Sequence, residues 1–298
     1  MDPGGGRRRT ALSEGTPPVG PSVPRSPGAG PAGSAGHGPD PAGGPRLSVV
    51  IPVYNEGASI EAVLRSVETQ VATPHEVLVV YDFDEDDTLP VVRRLQPELA
   101  NLRLVRNELG RGVLNALRTG FDAANAPLVL VTMADGSDEH SRVDEMVRLA
   151  AAGAAVVAGS RYAPGGRQLG GPRAKQVASR TAGFILHYAG GLSLTDPTNN
   201  FKLYRTSYLR SITIESERGF EVALELTVKA HGAGLTLAEV PTVWTDRTAG
   251  ESRFDARRLL PGYLRWFFLG LSYRLPGRSP RVGRPRRRSG RRAHPAGE

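Results

Sequence analysis

Five short apolar runs recur over the first half of the ordered-looking chain: LSVVIPVY (47–54), EVLVVYD (76–82), LRLVRN (102–107), LVLVTMA (128–134) and AAVVAGSRY (154–162). They are rich in β-branched residues and lack a two-residue alternation. That pattern predicts strands buried on both faces, as in a parallel sheet. Helical patterns separate them. ASIEAVLRSVETQ puts Ile60, Val63, Leu64 and Val67 on one face. TLPVVRRLQPEL opens on Thr88, read as an N-cap, with Pro90 in the first turn. GRGVLNALRTGFDAA and SRVDEMVRLAAAG follow, the second with Ser141 placed three before Asp144 as a cap. Strand and helix alternate, so the pattern predicts an α/β fold, an open, mostly parallel twisted sheet with helices on both faces and right-handed crossovers. In such sheets the ligand lies beyond the carboxyl ends of the strands.

After residue 162 the pattern loosens. APGGRQLGGP reads as a Gly-rich loop and AKQVASRTAGFILHYAGG as a helix ending at glycines. DPTNNFKLYR reads as a turn into a short strand, GFEVALELTVKAHGAG as a helix, LTLAEVPTVW as a strand and TDRTAGESRF as a polar loop. The last patterned segment, RRLLPGYLRWFFLGLSYRL, has WFFLGL as its longest apolar or small run. That is far short of the roughly 20 residues that span a bilayer. Trp266, Phe267 and Phe268 flanked by Arg257, Arg258, Arg265 and Arg274 fit either a surface-lying amphipathic helix or a last helix packed on the domain.

Composition divides the chain. Residues 1–45 are dominated by Gly, Pro, Ala and Ser, with almost no large apolar side chains, and are expected to be disordered. They lack the apolar core of a signal peptide. Residues 276–298 hold eight Arg and one Glu and are also expected to be disordered. This leaves a domain over 46–255 and an amphipathic segment over 256–275. The net charge of +8 belongs to the ends: residues 46–275 carry 26 basic and 26 acidic side chains. A nucleic-acid partner is therefore not expected, since the tail brings no aromatic platform for base stacking. The chain has no cysteine, which excludes a disulfide scaffold and thiolate chemistry and fits a reducing, cytoplasmic setting.

Polar groups gather at the predicted strand ends. Asn55 and Glu56 follow strand one. Asp82, Asp84, Glu85, Asp86 and Asp87 follow strand two, denser in acid than a turn requires, and Asp82 and Asp84 suit a nucleobase N–H or a ribose hydroxyl. Gly110, Arg111 and Gly112 open a helix whose N-terminus suits phosphate. Their spacing matches neither a P-loop nor a dinucleotide fingerprint, which excludes both classes. MADGSDEH places Asp135 and Asp138 after strand four. TDRTAGESRF sets Arg247, Ser252 and Arg253 on one loop, a pattern suited to clamping phosphate.

In this order, IPVYNE, the acidic end with Thr88, GRGVLNALRTG, the aspartate after strand four, GSRYAPGG, DPTNNFKLYR, AEVP and DRTAGESR resemble the family 2 glycosyltransferases, in the dolichyl- or polyprenyl-phosphate mannosyltransferase branch. The resemblance covers about residues 46–255. It implies a GT-A fold and transfer of a hexose, with inversion, from a nucleotide-diphosphate sugar of the GDP-mannose or UDP-glucose type to a lipid phosphate. It implies Pro52, Tyr54, Asn55 and Glu56 around the nucleotide, Asp82 on the base, and Asp135 on Mg²⁺ or Mn²⁺. Arg161, Lys175 and Ser179 fall where the family contacts phosphate, and Arg247, Ser252 and Arg253 where it has a mobile acceptor loop. The chain departs from the family at Tyr81, Phe83 and Asp84 beside Asp82, and at Met133, where a first aspartate would stand two before Asp135. Met133 cannot ligate a hard cation, so Asp138 is expected as the second ligand, directly or through water. A lipid acceptor implies a cytoplasmic protein with peripheral contact to an anionic membrane. Two other readings fit: a same-fold transferase using a soluble alcohol or saccharide, and a catalytically silent nucleotide-sugar binder.

Overall fold

In a computed structural model of the chain, residues 43–217, 219–246 and 256–274 are described. The expected disorder of 1–45 and 276–298 thus falls almost wholly outside the described residues.

The five expected strands form as β1 (Leu47–Pro52), β2 (His75–Tyr81), β3 (Leu102–Arg106), β4 (Leu128–Val131) and β5 (Val156–Ser160). Two more, β7 (Lys202–Arg205) and β8 (Leu237–Pro241), complete a seven-stranded sheet of order β3-β2-β1-β4-β7-β5-β8. Only β7 runs antiparallel, pairing with β4 and β5. The alternation of side chains explains the unbroken apolar runs. Val49 and Ile51 of β1 and Val77 and Val79 of β2 pack with helices α1 (Ile60–Gln70), α2 (Thr88–Leu95) and α4 (Val143–Ala151) on one face. Val50, Leu78 and Val80 pack with α3 (Val113–Ala123), α6 (Thr206–Ser211), α7 (Val222–Gly232) and α8 (Ala256–Ser272) on the other. Both faces are dry, so no polar alternation is needed.

Four local expectations change. Asp87, not Thr88, precedes α2 as its cap residue. Ser141 does not cap α4: its hydroxyl donates to Glu139, while Asp144 accepts from Thr73 and Ala72. The LTLAEVPTVW run divides at Pro241–Thr242 into β8 and β9 (Val243–Thr245). The Gly-rich loop supplies β6 (Arg167–Leu169), which pairs with β9 in a separate two-stranded sheet. Between them lies α5 (Arg173–Tyr188). Gly120 lets α3 lie close on the sheet, since a Cβ there would stand 2.3 Å from Val50 Cγ1. That close seat fixes the N-terminus of α3 beside the ends of β1 and β2.

Candidate active site

A cavity of about 1090 Å³ opens at the carboxyl ends of β1, β2 and β4. Pro52, Tyr54 and Glu56 line it from β1, Asp82 from β2, and Met133, Ala134 and Asp135 from β4. Arg111, Gly112 and the first turn of α3, Val113 to Ala116, form one wall. Of the expected nucleotide contacts, Pro52, Tyr54, Glu56, Asp82 and Arg111 face this space. Phe83, standing where the family pattern has glycine, packs edge-on against Tyr54 at 5.1 Å, and the Arg111 guanidinium lies 4.7 Å above its ring.

The other strand-end acids hold the wall. Asp86 is buried and accepts the Asn55 N–H at 3.1 Å and the Thr88 N–H at 2.9 Å. Thr88 Oγ1 accepts the Glu56 N–H, and Asp87 accepts the Gly57 N–H. These contacts hold Asn55 in the left-handed region at φ 54°, where few residues other than glycine rest easily. Asn55 is thus a positioning residue of the β1–α1 loop and does not line the cavity. Asp84 pairs with Arg106 at 2.7 Å at the surface, also away from the cavity. Gly110 stands behind the wall, its carbonyl accepting from Asn107 and Asn115. Asp82 accepts the Gly112 N–H at 2.8 Å and the Asn107 amide at 2.6 Å, so strand two and the start of α3 are locked together at its carboxylate. A carboxylate has about four lone-pair sites, so these two bonds leave capacity for a ligand N–H.

Asp135 lies on the cavity wall, with Oδ1 accepting the Ser137 N–H at 3.1 Å. Asp138 sits behind it. One oxygen, Oδ2, accepts from Thr132 Oγ1 at 2.9 Å and the Met133 N–H at 3.1 Å. The Thr132 hydroxyl proton is given to Asp138, so Thr132 accepts from His140 Nε2 at 3.0 Å, and His140 Nδ1 accepts from the Ser66 hydroxyl at 2.8 Å. The chain Ser66–His140–Thr132–Asp138 fixes one tautomer of a neutral imidazole. Burial holds the His140 pKa down at about 4. Burial, with Asp135 adding to it, pushes the Asp138 carboxyl up to about 7 against the hydrogen bonds from Met133 and Thr132.

These two shifts act on stability in opposite senses. The folded chain holds a proton on Asp138 that the unfolded chain releases near 3.8, so that stabilisation is full below 3.8 and is lost as pH rises through about 7. His140 contributes above its ordinary 6.5 and loses the contribution as pH falls through about 4. Asp138→Asn removes only the first. In EDTA, urea unfolding is expected to show the variant gaining more than about 1 kcal/mol relative to the native chain between pH 4 and 7. Parallel stability curves would mean that Asp138 is ionised throughout.

A sequence model of the family described as glycosyl transferase family 2 matches residues 48–213, over half of the chain. The chain belongs to that family. Among curated relatives, the polyprenol monophosphomannose synthase of Mycolicibacterium smegmatis is 29% identical over 72% of this chain and 83% of its own. The undecaprenyl-phosphate mannosyltransferase of Micrococcus luteus is 28% identical over 80% of this chain and 99% of its own. Among solved structures, glucosyl-3-phosphoglycerate synthase of Mycobacterium tuberculosis, in complex with Mn²⁺, UDP-glucose and phosphoglyceric acid, superposes with a TM-score of 0.57 at 22% identity. The match covers 76% of this chain and 81% of that one. That likeness shows the GT-A fold.

In this family 2 transferase the expected phosphate contact at Arg161 takes another role. Its guanidinium forms a fork on Asp196, with Nε to Oδ2 at 2.7 Å and Nη2 to Oδ1 at 2.9 Å, and Nη2 also reaches Thr198. Asp196 is fully buried and Arg161 does not line the cavity. Behind them Lys202 is buried, its ammonium donating to the carbonyls of Pro197 and Asn199. Arg161 and Lys202 thus build the floor under the DPTNN segment. Ser179, expected on the acceptor phosphate, bonds Tyr162, the residue after Arg161, and Lys175 lies one turn earlier on α5. Neither lines the cavity. Arg247, Ser252 and Arg253 lie outside the described residues. Ile214, Glu217 and Phe220 also line the cavity and lie in none of the family motifs, and so does Arg118, which lies within GRGVLNALRTG but was not expected at the site.

Proposed function

We propose that the protein transfers a hexose from a nucleoside-diphosphate sugar to a polyprenyl phosphate, inverting the anomeric carbon. One observation supports this most: Asp82, the start of α3 and Asp135 line one cavity, and our reading sets them against base, diphosphate and reacting centre in turn. Its relatives' names, polyprenol monophosphomannose synthase and undecaprenyl-phosphate mannosyltransferase, point to a mannosyl donor and a prenyl-phosphate acceptor.

Asp82 receives a base N–H, with Tyr54 closing the pocket. The first N–H groups of α3 lack helical partners and face a diphosphate favourably. The donor set suits Mg²⁺ or Mn²⁺. Asp135 would hold it directly and Asp138 directly or through water, a number of carboxylates that Mg²⁺ accepts when phosphates and waters complete the shell. Bound there, the ion would neutralise charge on the departing diphosphate. An oxygen of the acceptor phosphate forms the new bond to C1 as the bond from C1 to the diphosphate oxygen breaks, its electron pair leaving with the nucleoside diphosphate. No side chain need remove a proton, because the phosphate is already anionic at neutral pH. Lys175 and the loop carrying Arg247, Ser252 and Arg253 position that phosphate.

Labelled GDP-mannose and UDP-glucose offered with a short prenyl phosphate, soluble alcohols and phosphoglyceric acid, with and without EDTA, test the reading. Metal-dependent transfer to the prenyl phosphate is the expected outcome. Transfer only to an alcohol or to phosphoglyceric acid overturns the acceptor, and nucleotide binding without transfer to anything overturns the enzyme.

A further inference from the structure

The carboxylate of Asp138 is pinned by one oxygen. Oδ2 accepts both the Thr132 hydroxyl and the Met133 N–H, at 2.9 and 3.1 Å. Among the described residues no hydrogen bond reaches Oδ1, and the side chain is half-buried. The Met133 N–H belongs to the residue that stands where the family pattern has its first aspartate. Asp138 is therefore bonded to the backbone of the very position whose carboxylate is missing. The terminal torsion of an aspartate is broad, so its carboxylate turns easily when nothing holds it. Two donors on one oxygen decide which oxygen stays open.

Thr132 is held more closely than one hydroxyl requires. It is buried, and a threonine hydroxyl rotates to suit its surroundings. Here it accepts the His140 Nε2–H at 3.0 Å, which leaves its proton for Asp138. His140 donates from Nε2 only while Nδ1 is an acceptor, and the Ser66 hydroxyl at 2.8 Å keeps it one. The ring itself is wedged. It is 2% exposed and meets Phe201 edge-on at 6.2 Å. Phe201 has no room to retreat, since a Cβ on Gly159 would stand 2.4 Å from its Cδ1.

His140 follows Asp138 by two residues, and a histidine there suggests a further metal ligand. Both of its nitrogens are engaged inside the protein, so it has none to offer a cation. A buried polar chain can serve folding alone, but two features point past that. This one starts on α1 and joins residues 74 apart in sequence, Ser66 and His140. It ends on a carboxylate with one oxygen open, next to the wall that Met133 and Asp135 line. Partners placed behind a metal ligand in this way orient it.

We infer that Ser66, His140 and Thr132 are positioning residues for the divalent cation: their relay turns one oxygen of Asp138 to the Met133 backbone and keeps the other open to the ion, directly or through water. This rests on the cation proposed above at Asp135 and Asp138. It gives a physical account of how the chain does without an aspartate at 133. The replacement carboxylate comes from three residues beyond Asp135, and α1 supplies the restraint that such a side chain lacks by itself.

The test reads Mn²⁺ binding to the full chain by electron paramagnetic resonance, with GDP and, in a parallel series, with UDP. Thr132→Val keeps the side-chain shape and removes the hydroxyl, while Thr132→Ser keeps the hydroxyl. His140→Phe removes both ring nitrogens, while His140→Gln keeps an N–H toward Thr132. Ser66→Ala removes the outer donor. Thr132→Val and His140→Phe are expected to weaken Mn²⁺ binding about 10- to 100-fold. Ser66→Ala is expected to weaken it by less, and Thr132→Ser and His140→Gln to stay near native. Nucleotide binding in EDTA is expected to be unchanged throughout. Melting temperatures in EDTA show which variants are folded, and the Thr132 and Ser66 variants decide the matter should His140→Phe not fold. Native Mn²⁺ affinity in Thr132→Val overturns the relay, whether or not its melting temperature falls. So do equal losses in Thr132→Val and Thr132→Ser. A native chain that binds Mn²⁺ with neither nucleotide overturns instead the cation on which the relay depends.

Discussion

Asp135→Ala is expected to lower sugar transfer about a thousandfold or more and to leave the melting temperature within a few degrees of native. Asp135 is a half-buried residue in a turn after β4, and its carboxylate accepts the Ser137 N–H. It is not part of either hydrophobic core cluster. The proposed chemistry, in contrast, depends on it heavily. The leaving diphosphate gains negative charge as the C1–O bond breaks, and the only carboxylate that β4 and its following turn bring onto the cavity wall is Asp135. Removing it takes away the direct ligand of the cation that would offset that charge. Asp138→Ala separates direct from indirect holding. If Asp138 only braces the strand end behind Asp135, through its bonds from Thr132 and Met133, its loss is expected to cost about 10- to 100-fold. A loss at Asp138 as deep as at Asp135 would place both carboxylates on the ion. Initial rates across a Mn²⁺ titration distinguish these outcomes, and an Asp135→Ala enzyme with near-native turnover would remove the metal from Asp135 altogether.

Much of this layout was legible beforehand because it is local. Buried parallel strands need no polar alternation, so LSVVIPVY and EVLVVYD disclosed both the sheet and its dry faces. A strand followed by a helix places its carboxyl end at the ligand side, so order set the acidic ends of β2 and β4 on the cavity, and the family resemblance picked Asp82 and Asp135 out of them. What sequence order could not supply was the partner of each charge. Arg161 and Asp196 are 35 residues apart, and nothing near either announces that they meet. Asp84, Asp86 and Asp87 look equivalent in YDFDEDDT. The structure gives one to Arg106 and two to the backbone of the β1–α1 loop. His140, the last letter of VTMADGSDEH, became informative only when Ser66, 74 residues away, fixed its tautomer.

Asp196→Ala is expected to cost about 3–5 kcal/mol of stability, the largest loss of any substitution considered, although Asp196 lies off the cavity. Its carboxylate is fully buried and receives the Arg161 backbone N–H and both arms of the Arg161 fork. Burial alone would raise its pKa, but Arg161, with help from Lys202, holds it below the usual carboxylate range. Lys202 has its own pKa pushed down to about 7 by burial, a shift that Asp196 opposes. Alanine at 196 therefore strands one buried guanidinium and removes the anion nearest a buried ammonium. A loss of that size lowers the melting temperature by roughly 10 °C in a domain of this length. The converse replacement gives the sharper test. Burying two charges is costly even when they are paired, so Arg161→Met combined with Asp196→Leu is expected to recover most of the stability that Asp196→Ala loses. The recovery would appear as a coupling energy of more than about 1 kcal/mol between the two sites in urea unfolding. Additive losses would mean that the pair is not a unit and that the floor beneath the site is held by Lys202 and the Thr195–Glu239 contacts instead.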